Sequence, residues 1–310
     1  MKAVFLDAAT LGHDVDLEPI EAVTGGLTCY PHTAPEEVIE RLREFDTLLV
    51  NKVVIGREHF EACPELKTIA VVATGLNNID LRAAKDHGVQ VMNVTRYGRS
   101  TVSQHTMALI LALATRLLDY NRDVRAGRWG ESDMFCLMNH PIMELEGKTL
   151  GIIGYGDLGQ GVAERAKAFG MNVVLGCRPG QAPGMVDGYE RIPLDELLQA
   201  ADVLSLHCLL TDETRNLIGQ RELALMKHSA FLINTSRGGL VDEAALADAL
   251  RNGEIAGAGF DVLTEEPPRN GNPLLAEDIP NLVVTPHSAW ASREARQRIV
   301  AITAENLASV

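Results

Sequence analysis

Short apolar runs recur along nearly the whole chain, separated by longer stretches in which apolar and polar residues mix. In the first part the runs at 3–6, 27–30, 47–50, 68–72 and 89–92 predict buried strands, and 35–45, 57–62 and 80–87 predict helices between the later ones. Strands that are apolar throughout, alternating with helices, imply a parallel sheet covered on both faces. A long helix is predicted at about 101–126, followed by a glycine- and tryptophan-containing segment, 127–147, too irregular for a simple connection. A second alternating series starts near 149, with strands at 150–153, 172–176, 203–206, 231–234, 258–261 and 282–285 and helices at 194–200, 220–226 and 242–251. The last helix, about 292–309, follows the completed second sheet and is expected to return to the first. The fold class is therefore α/β, with two doubly wound parallel-sheet domains and a ligand cleft expected between them. Residues 1–98 with 289–310 form one expected domain and 99–288 the other.

The second series opens on Gly154-Tyr155-Gly156-Asp157-Leu158-Gly159, placed between an apolar strand and the helical stretch 160–169. The first glycine permits a tight turn, the second lets backbone N–H groups approach a pyrophosphate, and the third lets helix and strand pack closely. In a strand–helix–strand frame this spacing points to a dinucleotide. The acid that usually grips the ribose hydroxyls is expected at the end of the second strand. Cys177 stands there instead, with Arg178 beside it, and the nearest later acid is Asp187. A guanidinium pairs with a 2′-phosphate that a carboxylate would repel, which favours NADP(H) over NAD(H).

Composition narrows the function classes. With 28 basic and 42 acidic side chains in 310 residues, the net charge is −14, unsuited to nucleic acid or an anionic membrane surface. The five cysteines are scattered with no CxxC, and the first residues enter a strand without a signal-peptide pattern. Reduced thiols and a cytoplasmic location are expected. The longest apolar run, 107–114, is too short to span a bilayer, and no metal site is expected.

Three strand ends in the second series carry unusual polar residues. Arg237, in the segment from Asn234 to Asp242, follows a buried strand and precedes two glycines. An arginine there can hold a carboxylate bidentately. Glu266 follows Asp261 and precedes a pair of prolines, and His287 lies just after a strand. Together Arg237, Glu266 and His287 suit reduction of a ketone next to a carboxylate. Arg237 would hold the carboxylate and polarise the carbonyl, and His287 would exchange the proton. Glu266 would favour the charged imidazole.

On these motifs the chain resembles the D-isomer-specific 2-hydroxyacid dehydrogenases along essentially its whole length, in particular the glycerate dehydrogenase and hydroxypyruvate reductase branch. The branch resemblance rests on Trp129, Phe135-Cys136, the segment from Glu144 to Lys148, and Trp290. It implies reversible NAD(P)H-dependent reduction of a short 2-keto acid, hydroxypyruvate or glyoxylate, to the D-2-hydroxy acid. Arg237, Glu266 and His287 fall on the family's catalytic residues. The turn from Gly154 to Gly159 falls on its cofactor site, with Tyr155, Cys177, Arg178, His207, Cys208, Thr235, Ser236 and His287. Asp261 falls on the acid that holds the nicotinamide carboxamide. Thr74, Gly75 and Leu76 fall on the loop that binds the substrate carboxylate, where Arg237, His287 and Trp290 also belong, and Val102 and His105 match residues near the nicotinamide. The resemblance further implies a homodimer, with 127–147 as its arm. The chain departs from the family at Cys177, at Leu209 where proline is usual, and at Ser288 where a larger residue is common. Glu266 disfavours formate oxidation, for which glutamine is expected. Phosphite oxidation could use the same trio, and a non-catalytic dinucleotide sensor is the reading from another class.

Overall fold

A computed structural model describes residues 1–310. The chain divides into two compact units, Met1–Gly98 with Trp290–Val310, and Arg99–Ala289.

The first unit holds β1 (Ala3–Phe5), β2 (Leu27–Cys29), β3 (Thr47–Val50), β4 (Thr68–Val71) and β5 (Gln90–Asn93), in the order β2-β1-β3-β4-β5, all parallel. Successive strand residues point to opposite faces, and here both faces are buried. Val4, Leu48, Val50, Ile69 and Val71 meet one cluster, while Ala3, Phe5, Leu49 and Ala70 meet another. That is why these strands read as unbroken apolar runs. The first cluster is closed by α2 (Val38–Leu42), α3 (Arg57–Ala62) and α4 (Leu81–Asp86). The second includes Ile20 of α1 (Glu18–Thr24), a helix that the sequence pattern missed. Only Ile20 and Thr24 of its seven residues are buried, and Pro19 lies in its first turn. So narrow a stripe shows no period. The predicted helix at 35–45 is shorter than expected, a 3₁₀ turn at Pro35–Glu37 running into α2.

The second unit is an eight-stranded sheet of β6 (Thr149–Ile153), β7 (Asn172–Gly176), β8 (Gly184–Val186), β9 (Tyr189–Ile192), β10 (Val203–Leu206), β11 (Phe231–Asn234), β12 (Gly257–Phe260) and β13 (Leu282–Val284). The order is β13-β12-β11-β10-β6-β7-β9-β8, and only β8 runs antiparallel. The β8–β9 hairpin was not expected, because its short strands carry a broken apolar pattern around Asp187 and Gly188. From β6 the sheet winds one way to β7 and the other way to β10. Their carboxyl ends are the switch point, where open sheets of this kind bind ligands.

The helix expected at 101–126 is two helices, α5 (Arg99–Ala114) and α6 (Leu117–Arg125). Arg116 between them takes a left-handed φ of 55°, which stops a helix. α5 packs into the sheet through Met107, Leu109, Ile110 and Leu113, whereas α6 buries only Asp123. The remaining helices are α7 (Asp157–Ala168), α8 (Leu194–Ala200), α9 (Gln220–Leu225) and α10 (Glu243–Arg251). α11 (Arg293–Ala308) belongs to the first unit, where Ile299, Val300, Ala304 and Leu307 complete the second cluster. The chain crosses one residue later than expected. Ala289 stays with the second unit because its N–H donates to Asp261 Oδ2 (2.9 Å) and its carbonyl accepts from Thr101 Oγ1 (2.9 Å). No helix is long and apolar enough to cross a membrane.

Candidate active site

The glycine turn lies at the switch point, and its three glycines differ in what they make room for. A Cβ on Gly154 would lie 2.4 Å from the His207 carbonyl carbon, and one on Gly159 would lie 2.2 Å from Gly154 O. Gly154 also has φ +99°, so both positions require glycine for the turn itself. A Cβ on Gly156 would meet nothing within 4 Å. Packing leaves that position open to a ligand. Gly156 caps α7 without a side-chain partner for the helix N–H groups, so they remain available to an anion. α7 begins at Asp157, earlier than the sequence pattern placed it.

Two buried polar atoms near this turn lack a partner, Arg178 Nε and His207 Nδ1. Arg178 shares the lining of a cavity of about 310 Å³ with Cys177, Gln181 and Leu194, while its backbone N–H donates to Gln181 Oε1 (3.1 Å). His207 Nε2 pairs with Ser205 Oγ (2.8 Å), and burial depresses the imidazole from its ordinary 6.5 to about 4. Burial also raises the Cys208 thiol, against the charge of Arg178. Open space at Gly156, bare helix N–H groups and two orphaned nitrogens fit a phosphate-bearing dinucleotide. Cys177, Arg178, His207 and Cys208 are thereby placed at the ends of β7 and β10, flanking β6.

The second set of polar residues gathers at the ends of β11, β12 and β13. Ser236 is locked by its N–H to Asn234 Oδ1 (3.0 Å) and its hydroxyl to Leu206 O (2.9 Å). Arg237 donates one bond, to Ser236 O (2.7 Å), and is half-buried. His287 Nδ1 meets Glu266 Oε2 at 2.6 Å, and Glu266 Oε1 accepts from Leu263 N (2.8 Å). Burial opposes ionisation of Glu266, but the His287 and Leu263 hydrogen bonds and the charges of His287 and Arg237 outweigh it, so its pKa is lowered. The carboxylate accepts, Nδ1 carries the proton, and Nε2 is left as the nitrogen that can exchange one.

Asp261 holds this arrangement together from beneath. It is 1% exposed, and its Oδ1 accepts from Thr285 Oγ1 (2.6 Å) and Ser288 N (2.9 Å) while Oδ2 accepts from Ala289 N. His287 takes a left-handed φ of 51°, fixed by its N–H to Asp261 O (2.8 Å). Such a backbone persists only where the surroundings over-determine it. α5 adds two further contacts, His105 Nε2 with Thr285 Oγ1 (2.9 Å) and Thr106 Oγ1 with Thr235 Oγ1 (3.0 Å). Three protein bonds thus already engage Asp261, a pinning role that no local signal in the sequence announces.

Thr74, Gly75, Leu76 and Trp290 belong to the first unit. The 74–76 loop follows β4 and is tied to the strand after it by Thr74 Oγ1 to Val94 O (2.9 Å) and Asn93 Nδ2 to Thr74 O (2.7 Å). Leu76 and Trp290 each pack against a first-unit core cluster. The sequence reading missed Asp7, whose Oδ1 accepts from Asn51 N (2.9 Å) and whose Oδ2 accepts from Lys52 N (2.6 Å) and Val53 N (3.1 Å). Nothing local in the sequence marks it, because its partners lie 44–46 positions away.

A family model described as "D-isomer specific 2-hydroxyacid dehydrogenase, NAD binding domain" matches residues 107–289. The chain is 48% identical to the glycerate dehydrogenase of Methylorubrum extorquens over 263 residues, 85% of this chain and 82% of that protein. It is 39% identical to the hydroxypyruvate reductase of Blautia hydrogenotrophica over 312 residues, 99% of this chain and 96% of that one. Among solved structures, the acyclic imino acid reductase Bsp5 in complex with NADPH and D-Arg superimposes with a TM-score of 0.81 at 30% identity, covering 96% of this chain and 93% of that chain.

Proposed function

The chain belongs to the D-isomer-specific 2-hydroxyacid dehydrogenase family, and on that premise we propose that it reduces a short 2-keto acid, hydroxypyruvate or glyoxylate, to the D-2-hydroxy acid. The observation that carries this reading is the 2.6 Å contact between His287 Nδ1 and Glu266 Oε2. It orients an imidazole whose other nitrogen can give a proton to a carbonyl oxygen. A nicotinamide dinucleotide, when bound, supplies the hydride. Arg237, with donors to spare beyond its one bond to Ser236 O, holds the substrate carboxylate and polarises the ketone. His287 Nε2 protonates the oxygen as its charge develops, and Glu266 stabilises the imidazolium before the proton leaves. In the reverse direction neutral His287 accepts the alcohol proton. The names of the two relatives favour hydroxypyruvate.

The dinucleotide site is assigned to the Gly154–Gly159 turn, with Tyr155, Asp157, Leu158, Cys177, Arg178, His207, Cys208, Thr235, Ser236 and Asp261. Preference for NADP(H) is supported by the orphaned Nε of Arg178 and by the absence of an acid at Cys177. The first unit is assigned to substrate through Thr74, Gly75, Leu76 and Trp290. A homodimer is supported by the exposed apolar side chains of the 127–147 segment, and a cytoplasmic location by five free cysteines.

Oxidation of NADPH and NADH by the purified protein with hydroxypyruvate, glyoxylate and pyruvate, and reduction of NADP⁺ and NAD⁺ with phosphite, test the reading. Turnover with hydroxypyruvate and NADPH is expected. Turnover with NADH preferred would discard the Arg178 argument alone. Phosphite oxidation without 2-keto acid reduction would overturn the substrate assignment, and dinucleotide binding without any turnover would favour a sensor.

A further inference from the structure

Glu243 opens α10 but is not its cap. Asp242 accepts from Ala244 N and Ala245 N, leaving the Glu243 carboxylate for another use. It is only 9% exposed, unusual for glutamate. Both of its oxygens face a single loop. Oε1 accepts from Thr264 N and Oε2 from Asn272 Nδ2, each at 2.7 Å. These two residues bracket Glu266. The turn that carries Arg237 also packs closely on this loop, since a Cβ on Gly238 would lie 2.0 Å from the Leu263 carbonyl carbon. The loop is thus packed closely at Leu263 and tethered beyond it at Thr264 and Asn272.

We propose that Glu243 is a positioning residue for the acid–base pair, fixing the 264–272 loop so that Glu266 Oε2 meets His287 Nδ1. The inference rests on the reading of Glu266 and His287 given above. Glu243 touches neither substrate nor dinucleotide in this role. It acts through Glu266, and it joins the loop of Glu266 to the element that follows Arg237.

Glu243→Gln keeps the volume but turns one acceptor into a donor, which then faces Thr264 N–H or the Asn272 amide. The test compares this variant, Glu266→Gln and the double variant. The readouts are kcat, KM, dinucleotide Kd by fluorescence and the NMR titration of the His287 imidazole, assigned with His287→Gln. Glu243→Gln is expected to lower kcat roughly 10- to 100-fold, as for misplacement of a catalytic group. KM and Kd should stay within about twofold, and the His287 titration should move in the direction seen with Glu266→Gln. In the Glu266→Gln background the same change should add less than about twofold, because the two act on one contact. Multiplicative losses, an unmoved His287 titration or a parallel loss of dinucleotide affinity would overturn the proposal. If Glu243→Gln does not fold, Asn272→Ala releases one tether and is read the same way. A wild-type protein inactive on every 2-keto acid would count against the proposed reaction, while the His287 titration would still decide the role of Glu243.

Discussion

At the scale of single residues, three side chains carry separable consequences. In the proposed reaction His287 donates the proton, so His287→Ala should lower kcat by about 10²-fold or more in the cofactor-oxidation assay, and near-normal turnover would remove it from the mechanism. Arg178 presents a buried nitrogen without a partner. Arg178→Ala should weaken NADPH selectively in a fluorescence titration, whereas equal loss for NADH would mean that it does not meet a 2′-phosphate. His207 titrates at about 4 in the fold against an ordinary 6.5. A base whose folded pKa is depressed takes up protons more readily when unfolded, so its contribution is intact above 6.5, falls as pH drops towards 4, and then levels off. The shift corresponds to a loss of up to about 3 kcal/mol. Urea unfolding at pH 7 and pH 4.5 should show this loss in the wild type and a smaller one in His207→Gln. Equal losses would place the pH dependence elsewhere.

At the scale of elements, the strand ends are what place the chemistry. β6 delivers the glycine turn, β11 delivers Arg237, and the loops after β12 and β13 deliver Glu266 and His287, all at the carboxyl edge of one sheet. The turn makes a prediction that separates packing from binding. Gly159→Ala drives a methyl to 2.2 Å from Gly154 O, whereas Gly156→Ala meets no protein atom within 4 Å. Gly159→Ala should therefore lower the unfolding free energy by about 1–3 kcal/mol, as overpacking does. Gly156→Ala should leave the melting temperature of the ligand-free protein unchanged and weaken dinucleotide binding. If both variants lost stability equally, the open space at Gly156 would have no bearing on a ligand. The 127–147 segment is tied back to α6 by Asp123, which accepts from Asn139 Nδ2 (2.6 Å), His140 Nε2 (2.9 Å) and Arg128. The Asn139 bond leads a set of interactions that lowers the Asp123 pKa against its burial, so the segment is held by a charged anchor.

At the scale of the whole molecule, that anchored segment displays apolar side chains to water. Phe135 is 89% exposed and Met138 74%, close in sequence to exposed Trp129, Met134 and Ile142. Exposed apolar side chains this close in sequence are what the proposed homodimer would cover. Sedimentation velocity should find a dimer for the wild type, and Phe135→Asp combined with Met138→Asp should shift it towards monomer. A dimer unaffected by both charges would move the interface elsewhere, and a monomeric wild type would end the homodimer reading. With a net charge of −14 the molecule as a whole repels polyanions, so an anionic substrate depends on local cations such as Arg237.

The sequence by itself determined what depends on neighbouring positions. Apolar runs buried on both faces gave nearly all the parallel strands, and glycine spacing placed the turn at Gly154, because backbone sterics act within a few residues. Arg237, Glu266 and His287 were legible as polar residues at strand ends, and their motifs carried the family resemblance. Tertiary structure decided what depends on residues far apart in the chain. The left-handed Arg116 split one expected helix into α5 and α6, and β8 and β9 paired where only a turn was visible. Asp261 pins Ser288 and Ala289 across 27 and 28 positions, and Glu243 reaches Thr264 and Asn272 across 21 and 29. A carboxylate at the start of a helix or the end of a strand looks the same in sequence whether it meets water or a distant loop. Burial alone makes the difference, since a carboxylate withdrawn from water must find its hydrogen-bond donors within the fold.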